Sequence, residues 1–367
     1  MQKLEIKFFV GTSILLIIVL AVFSIIFKIH HNEQYRYKER HEEIVIPNKV
    51  ENKIPDIDNS ALSDLLKKNF FSGTALVVRK GEVVLSRAYG LSNRKENTSN
   101  EVTTRYCIGS AQKSIIATAV LQLEQLGKLH ISDAVSKYIA EFPGGSNITL
   151  KNLLNHTSGL TGRAEFGEEI SIKQIISEIE KAGSDYPLGV WHYTDSNYAI
   201  LAYIVQMVSG ESINDYVQKN IFDPCHMNDS GFLKGKDTVT KLANNYKVKA
   251  GVYVEPELPD FSQLFGAGEI YSTAYDLYLY DQALMQGNLI NDDEKSKMFT
   301  VGSESTYGMG FYINPGSYSS HGILGGFNVI NSFTHTGLTY VILLSNTNEV
   351  SSLGEVSNAI YDWLNHT

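Results

Sequence analysis

Residues 106–126, YCIGSAQKSIIATAVLQLEQL, carry the pattern around which the remainder of the chain can be organised. From Ser110 onward the run holds no glycine or proline until Gly127, which predicts a helix over 110–126 with that glycine at its C-cap. Apolar residues surround almost the whole circumference, so the helix is expected to be buried. Ser110 and Lys113 stand three apart on one face, with about 5–6 Å between their Cβ atoms. The serine lies in the first turn, beside free backbone N–H groups and the positive helix end. A buried lysine loses solvation, and its pKa is expected to fall toward the range where it can accept a proton. Together these features would activate a serine nucleophile and help to hold the oxyanion that follows. Alone, the pair equally fits an N-cap serine with a snorkelling lysine. Ser-x-x-Lys is also expected about once by chance in a chain of this size. Ser92 to Lys95 is a second instance, in a polar turn that reads as solvated loop.

Outward from this helix, 73–79 and 82–88 are apolar, β-branched runs joined by Lys80-Gly81, the pattern of a two-residue hairpin. Toward the C-terminus, strands are expected at 307–313, 327–333 and 339–344, followed by a helix near 355–364. The middle is mostly helical, at 170–181, 198–209 and 274–285, with Gly183, Gly210 and Gly287 at the expected C-caps. This predicts an α/β fold: a sheet formed by both chain ends and flanked by helices, an inserted mostly helical lobe, and a site in the cleft between.

Three further segments give the Ser110 region its context. They are ITLKNLLNHTSGL at 148–160, WHYTDSNY at 191–198 and FGAGEIYSTAYDL at 265–277. In order and spacing, these and the Ser-x-x-Lys box resemble the serine β-lactamase and penicillin-binding-protein superfamily, in its class-C-like branch. The match spans most of 61–367 and is most similar to membrane-anchored, penicillin-binding-protein-like teichoic-acid D-alanyl esterases. The resemblance implies a serine β-lactamase/DD-peptidase-like fold with an antiparallel sheet, and an acyl-enzyme formed on Ser110. Lys113 and Tyr193 would move protons between nucleophile and leaving group. An ordinary tyrosine pKa near 10 falls beside an ammonium, which suits that role. Among 21 tyrosines, core packing is the competing explanation for Tyr193.

Two positions depart from the family pattern. Asp195 stands where asparagine is usual; a carboxylate near Lys113 would favour the charged lysine, or Asp195 would simply cap the next helix. The third box, expected as Lys-Thr-Gly or His-x-Gly on a strand beside the nucleophile, reads His321-Gly322-Ile323. Asp195, His321, Gly322 and Ile323 are therefore the expected substrate-binding residues. Ile323 in place of glycine would narrow the site against peptides or bicyclic lactams. His156 could suggest a Ser-His-Asp triad, but the chain contains no Gly-x-Ser-x-Gly elbow, and a loop hydrogen bond is the expected role.

The 20 uncharged residues 8–27 span roughly 30 Å as a helix, enough to cross a bilayer, so 1–29 reads as an uncleaved transmembrane anchor. Residues 30–60 read as a polar linker and 61–367 as the hydrolase domain. Lys3 and Lys7 precede the span, whereas Lys28, Arg36, Lys38 and Arg40 follow it. Positive charge alone would therefore place the domain in the cytoplasm, against the cell-envelope D-alanyl substrate and extracellular, single-pass arrangement implied by the resemblance.

Composition fits a folded acidic enzyme: 367 residues, 43% hydrophobic, 19% charged, net charge −9. That charge argues against nucleic-acid binding. Two cysteines provide neither a disulfide framework nor a cysteine-rich zinc site, and no metal or organic cofactor is expected. Oligomeric state has no signal in the sequence. The competing expectations are a DD-carboxypeptidase or β-lactamase-like hydrolase using the same residues and, of another class, a non-catalytic penicillin-binding sensor, motivated by the altered third box.

Overall fold

The computed structural model describes residues 55–234 and 239–367. The expected anchor and nearly all of the expected linker lie outside the described residues. Among the described residues, no helix is long and apolar enough to cross a membrane.

The hairpin forms as the sequence predicts. Strands β1 (Gly73–Arg79) and β2 (Glu82–Tyr89) are antiparallel, and Lys80 and Gly81 both take positive φ, 52° and 82°. That is the geometry a two-residue turn needs to match strand twist. The C-terminal part supplies β3 (Tyr312–Asn314), β4 (Ser317–Leu324), β5 (Phe327–Thr334) and β6 (Thr339–Ser345). The sheet order is β3-β4-β5-β6-β1-β2, with β1 zipped along β6 from Gly73↔Ser345 to Arg79↔Thr339. Both chain ends therefore build one antiparallel sheet.

Side chains alternate across this sheet with period two, so its two faces have separate cores. Ala75, Val77, Val341 and Leu343 face helices α1 (Ser60–Lys68) and α6 (Leu353–Asn365), packing with Leu62, Leu66, Val356 and Ile360. Leu76, Val78, Ile342 and Leu344 face the opposite, larger core. There lie α2 (Lys113–Gln125), α3 (Ile172–Ala182), α4 (Ser196–Ser209) and α5 (Ala274–Met285). All of α2 from Lys113 to Leu123 is buried, as its apolar circumference requires. Ser171 caps α3 with a reciprocal capping box to Gln174, and Gly210 ends α4 in the left-handed region.

Two local readings change. The helix predicted from residue 110 begins as a 3₁₀ turn, Gly109–Gln112, and becomes α-helical only at Lys113. The strand predicted at 307–313 is confined to Tyr312–Asn314, and Tyr307 makes only an isolated bridge to Tyr312. Between them the chain passes close to the start of α2: a Cβ on Gly310 would lie 2.5 Å from Ser114 Cα. That approach bends the segment away from sheet geometry and carries Tyr307 to the cleft.

Candidate active site

The 3₁₀ turn that carries Ser110 lies directly on β4. A Cβ on Gly322 would fall 1.9 Å from Ile108 O and 2.9 Å from Ala111 N, so only glycine lets the strand approach the turn this closely. Gly322 is thus required by the contact between strand and nucleophile turn. Ile323, expected to take the place of a substrate-facing glycine, lines the cleft beside Ser110 and is 62% exposed. Its backbone nitrogen comes 3.2 Å from where a Gly109 Cβ would be. His321 also lines the cleft and pairs its Nε2 with Asn328 Oδ1 at 2.9 Å.

Lys113 sits one turn deeper and is fully buried. Its Nζ donates to Ser110 Oγ at 2.8 Å and to the Ala267 carbonyl at 3.3 Å. Asp195 Oδ1 lies 2.7 Å from the same nitrogen and forms an ion pair with it. The Tyr193 ring centroid is 5.0 Å away. The sequence expectation of a depressed lysine pKa is overturned. Burial does press toward the neutral amine, but the Asp195 carboxylate and the Tyr193 hydroxyl together outweigh it and hold the ammonium above its ordinary range. The balance of these influences favours the charged form of Lys113.

The Ala267 carbonyl is positioned by a buried side-chain clamp that sequence motifs do not reveal. Glu269 accepts from Gly266 N at 2.9 Å, Gly268 N at 3.3 Å and Gln112 Nε2 at 2.9 Å, while Gln112 Oε1 accepts from Ile270 N at 2.8 Å. These bonds join the 266–270 segment to the nucleophile turn.

Tyr193 and Asp195 belong to the opposite wall, which is built from the His156 segment. His192 N donates to His156 O at 2.8 Å, and Gly189 N to Thr157 O at 2.9 Å. The His156 ring packs in a tilted arrangement with its centroid 4.3 Å from that of Tyr193 and 5.0 Å from that of Tyr307. Its Nδ1 accepts from Asn197 Nδ2 at 2.9 Å and Thr194 N at 3.4 Å, and Asn197 Oδ1 accepts from Ser158 Oγ at 2.6 Å. Burial, then the Lys113 charge, hold the imidazole well below its ordinary pKa, so it stays neutral. The expected loop hydrogen bond is present, and the ring also buttresses Tyr193.

Ser110, Tyr193, His321 and Ile323 meet at one cleft of about 190 Å³, where Tyr307 and Tyr312 join them. Gly322 lies behind its wall and Lys113 beneath its floor. Tyr307 and Tyr312 carried no distinguishing signal in so tyrosine-rich a chain. Among the described residues no group of His, Cys, Asp or Glu could hold a metal ion. Cys107 and Cys225 are free and buried.

A serine hydrogen-bonded to a buried lysine, with a tyrosine beside both, is an arrangement for acyl transfer. The Beta-lactamase family profile matches residues 59–359. PbpX of Bacillus subtilis, which carries the name of a penicillin-binding protein, is 48% identical over 318 residues, covering 86% of this chain and 81% of the relative. Teichoic acid D-alanine hydrolase of Staphylococcus aureus is 29% identical over 278 residues, 74% of this chain and 67% of the relative. The crystal structure of FmtA from Staphylococcus aureus superposes with a TM-score of 0.76 at 26% identity, over 90% of this chain and 94% of that one. The chain belongs to the Beta-lactamase family and is a serine hydrolase of the penicillin-binding-protein type.

Proposed function

We propose that residues 61–367 act outside the cell as a D-alanyl esterase on teichoic acid, tethered by residues 1–29 through a linker at 30–60. Ser110 Oγ attacks the ester carbonyl; the Oγ–C bond forms as the C–O bond to the polymer alcohol breaks. The Ser110 proton passes through the Lys113–Tyr193 pair to the departing alcohol. Water then cleaves the acyl-enzyme, which returns Ser110 and releases D-alanine. Backbone N–H groups of Ser110 and Ile323 serve as oxyanion donors. Asp195 holds Lys113 in place, and His321 and Ile323 border the substrate.

The observation that carries this reading is the 2.8 Å Lys113–Ser110 bond opening onto the cleft. The cleft, about 190 Å³ and open to solvent, places the acyl group against Tyr193, Tyr307 and Tyr312. The similarity to a teichoic acid D-alanine hydrolase supports the same substrate class.

The test is release of D-alanine from D-alanylated teichoic acid by the full-length protein. Release is expected, with a loss on the order of 10⁴-fold or more in Ser110→Ala. Cleavage of a D-Ala-D-Ala peptide without D-alanine release from teichoic acid would make the protein a carboxypeptidase. A Ser110 that an acylphosphonate never labels would make it a non-catalytic sensor.

A further inference from the structure

We propose that Glu269 and Gln112 act as one positioning unit for the Ser110–Lys113 pair, with Glu269 working as a carboxylate that locks the Ala267 carbonyl onto the lysine. The inference rests on Ser110 being the nucleophile.

Neither side chain lines the cleft, and both are buried, Gln112 completely. Gln112 nevertheless stands between Ser110 and Lys113 in the chain, so whatever grips it grips the nucleophile turn. Both ends of its amide are used: Nε2 donates to Glu269 Oε2 at 2.9 Å, and Oε1 accepts from Ile270 N at 2.8 Å. Glu269 turns back over its own backbone, Oε1 accepting from Gly266 N at 2.9 Å and Oε2 from Gly268 N at 3.3 Å.

Three N–H groups therefore point at one carboxyl, and each of its oxygens receives at least one. An amide or a protonated acid would turn a hydrogen toward one of those donors; only the carboxylate accepts at both ends. Burial pushes this carboxyl above its ordinary range, and the bonds from Gly266, Gln112 and Gly268 pull against that. No cation pairs with it among the described residues. An uncharged amide would tie two loops together without the desolvation cost, so the carboxylate marks a turn whose shape must be fixed from both sides.

That turn is where the chemistry needs stiffness. Ala267 lies between two glycines, where the backbone is at its most permissive. In the clamp its carbonyl accepts from Lys113 Nζ at 3.3 Å. Gly266, at φ 73°, lies against α4: a Cβ there would fall 2.6 Å from Tyr198 O and 2.7 Å from Ala202 Cβ. Ile270 O accepts from Ile108 N at 3.0 Å, two residues before Ser110. The segment thus touches the helix that follows Asp195, the lysine nitrogen and the entrance to the nucleophile turn, and Glu269 fixes its shape.

The burst of p-nitrophenol from p-nitrophenyl acetate measures Ser110 acylation in the full-length protein, whatever the natural acyl group. Glu269→Gln sets a donor against donors, and acylation is expected to slow about 10- to 100-fold. Lys113 then loses an acceptor, so the alkaline limb of the acylation rate should move toward lower pH. A residue that only held the fold together would leave that limb in place. In the double variant Glu269→Gln/Gln112→Glu, the amide at 269 donates to the carboxylate at 112, which still accepts from Ile270 N; only the 3.3 Å bond from Gly268 is lost. Acylation should return to within about fivefold of wild type, with the limb restored. Wild-type acylation with an unshifted limb in Glu269→Gln would overturn the proposal, as would a double variant no faster than the single one. If Glu269→Gln is not recovered folded, Gln112→Ala decides, because it leaves both glycine bonds intact: a loss of about tenfold is expected, and the wild-type rate would overturn the proposal. Acylation of Ser110→Ala at the wild-type rate would instead overturn the assignment of the nucleophile.

Discussion

The two walls of the cleft are held by different physics. On the Ser110 side, β4 and the 3₁₀ turn meet backbone to backbone, with no side chain between them at Gly322. On the Tyr193 side, a chain of buried polar groups from Ser158 through Asn197 to His156 holds the loop in place. A backbone contact cannot relax around an added atom. A hydrogen-bond relay can lose one member and keep its packing, at the cost of an unsatisfied group. The first wall should therefore fail abruptly and the second gradually.

Gly322→Ala tests the abrupt case and should have the largest effect. A methyl group 1.9 Å from Ile108 O must push the strand off the nucleophile turn. Ester hydrolysis is expected to fall on the order of 100-fold or more, as a displacement of about 1 Å at a reacting centre can do. Overpacking should also destabilise the fold by about 1–3 kcal/mol in urea denaturation. A variant of wild-type activity would show that the wall yields after all.

Between the walls, Lys113 reports how they communicate. Asp195 and Tyr193 hold its pKa up. A raised lysine pKa means that the proton must leave before the amine can act as a base. The rate of Ser110 acylation should therefore climb up to tenfold per pH unit on the alkaline side. Asp195→Asn removes the largest raising influence and should move that limb toward lower pH. An unshifted limb would disconnect Asp195 from the base.

Ser158→Ala probes the graded wall and should act least. Asn197 Oδ1 loses its 2.6 Å donor, while Asn197 Nδ2 still reaches His156. A loss of about 1–3 kcal/mol in stability is expected, with acylation within a few-fold of wild type. A collapse of activity comparable to that of Gly322→Ala would erase the distinction between the walls.

What could be seen in the sequence follows the same division. Features with a local cause were legible: the Lys80-Gly81 hairpin from its turn chemistry, and α2 from its apolar circumference. The box carrying Ser110 and Lys113, and the segment carrying Tyr193, were found because spacing within a box survives folding. Features that depend on distant contacts were misread or missed. Burial and the Asp195 carboxylate were both read from the sequence as opposing influences on Lys113, but which one prevails depends on their distance, and only packing shows that to be 2.7 Å. Tyr307-Gly308-Met309-Gly310 alternates like a strand, but the approach of Gly310 to α2 governs its path. The Glu269–Gln112 clamp was not read although each residue lies inside a quoted segment, because only the fold makes them partners.

The pairing of β1 with β6 has a consequence for how the protein is made. The ribosome delivers the hairpin and the Ser110 turn early, but β4 and the strand that zips onto β1 arrive in the last part of the chain. Joining sequence neighbours this remote is entropically slow, which places the fold among late-assembling topologies. A nascent or prematurely terminated chain therefore lacks a formed corner around its serine. The corner around Ser110 is therefore expected to form only after both β4 and β6 have been made and have met the hairpin and the nucleophile turn.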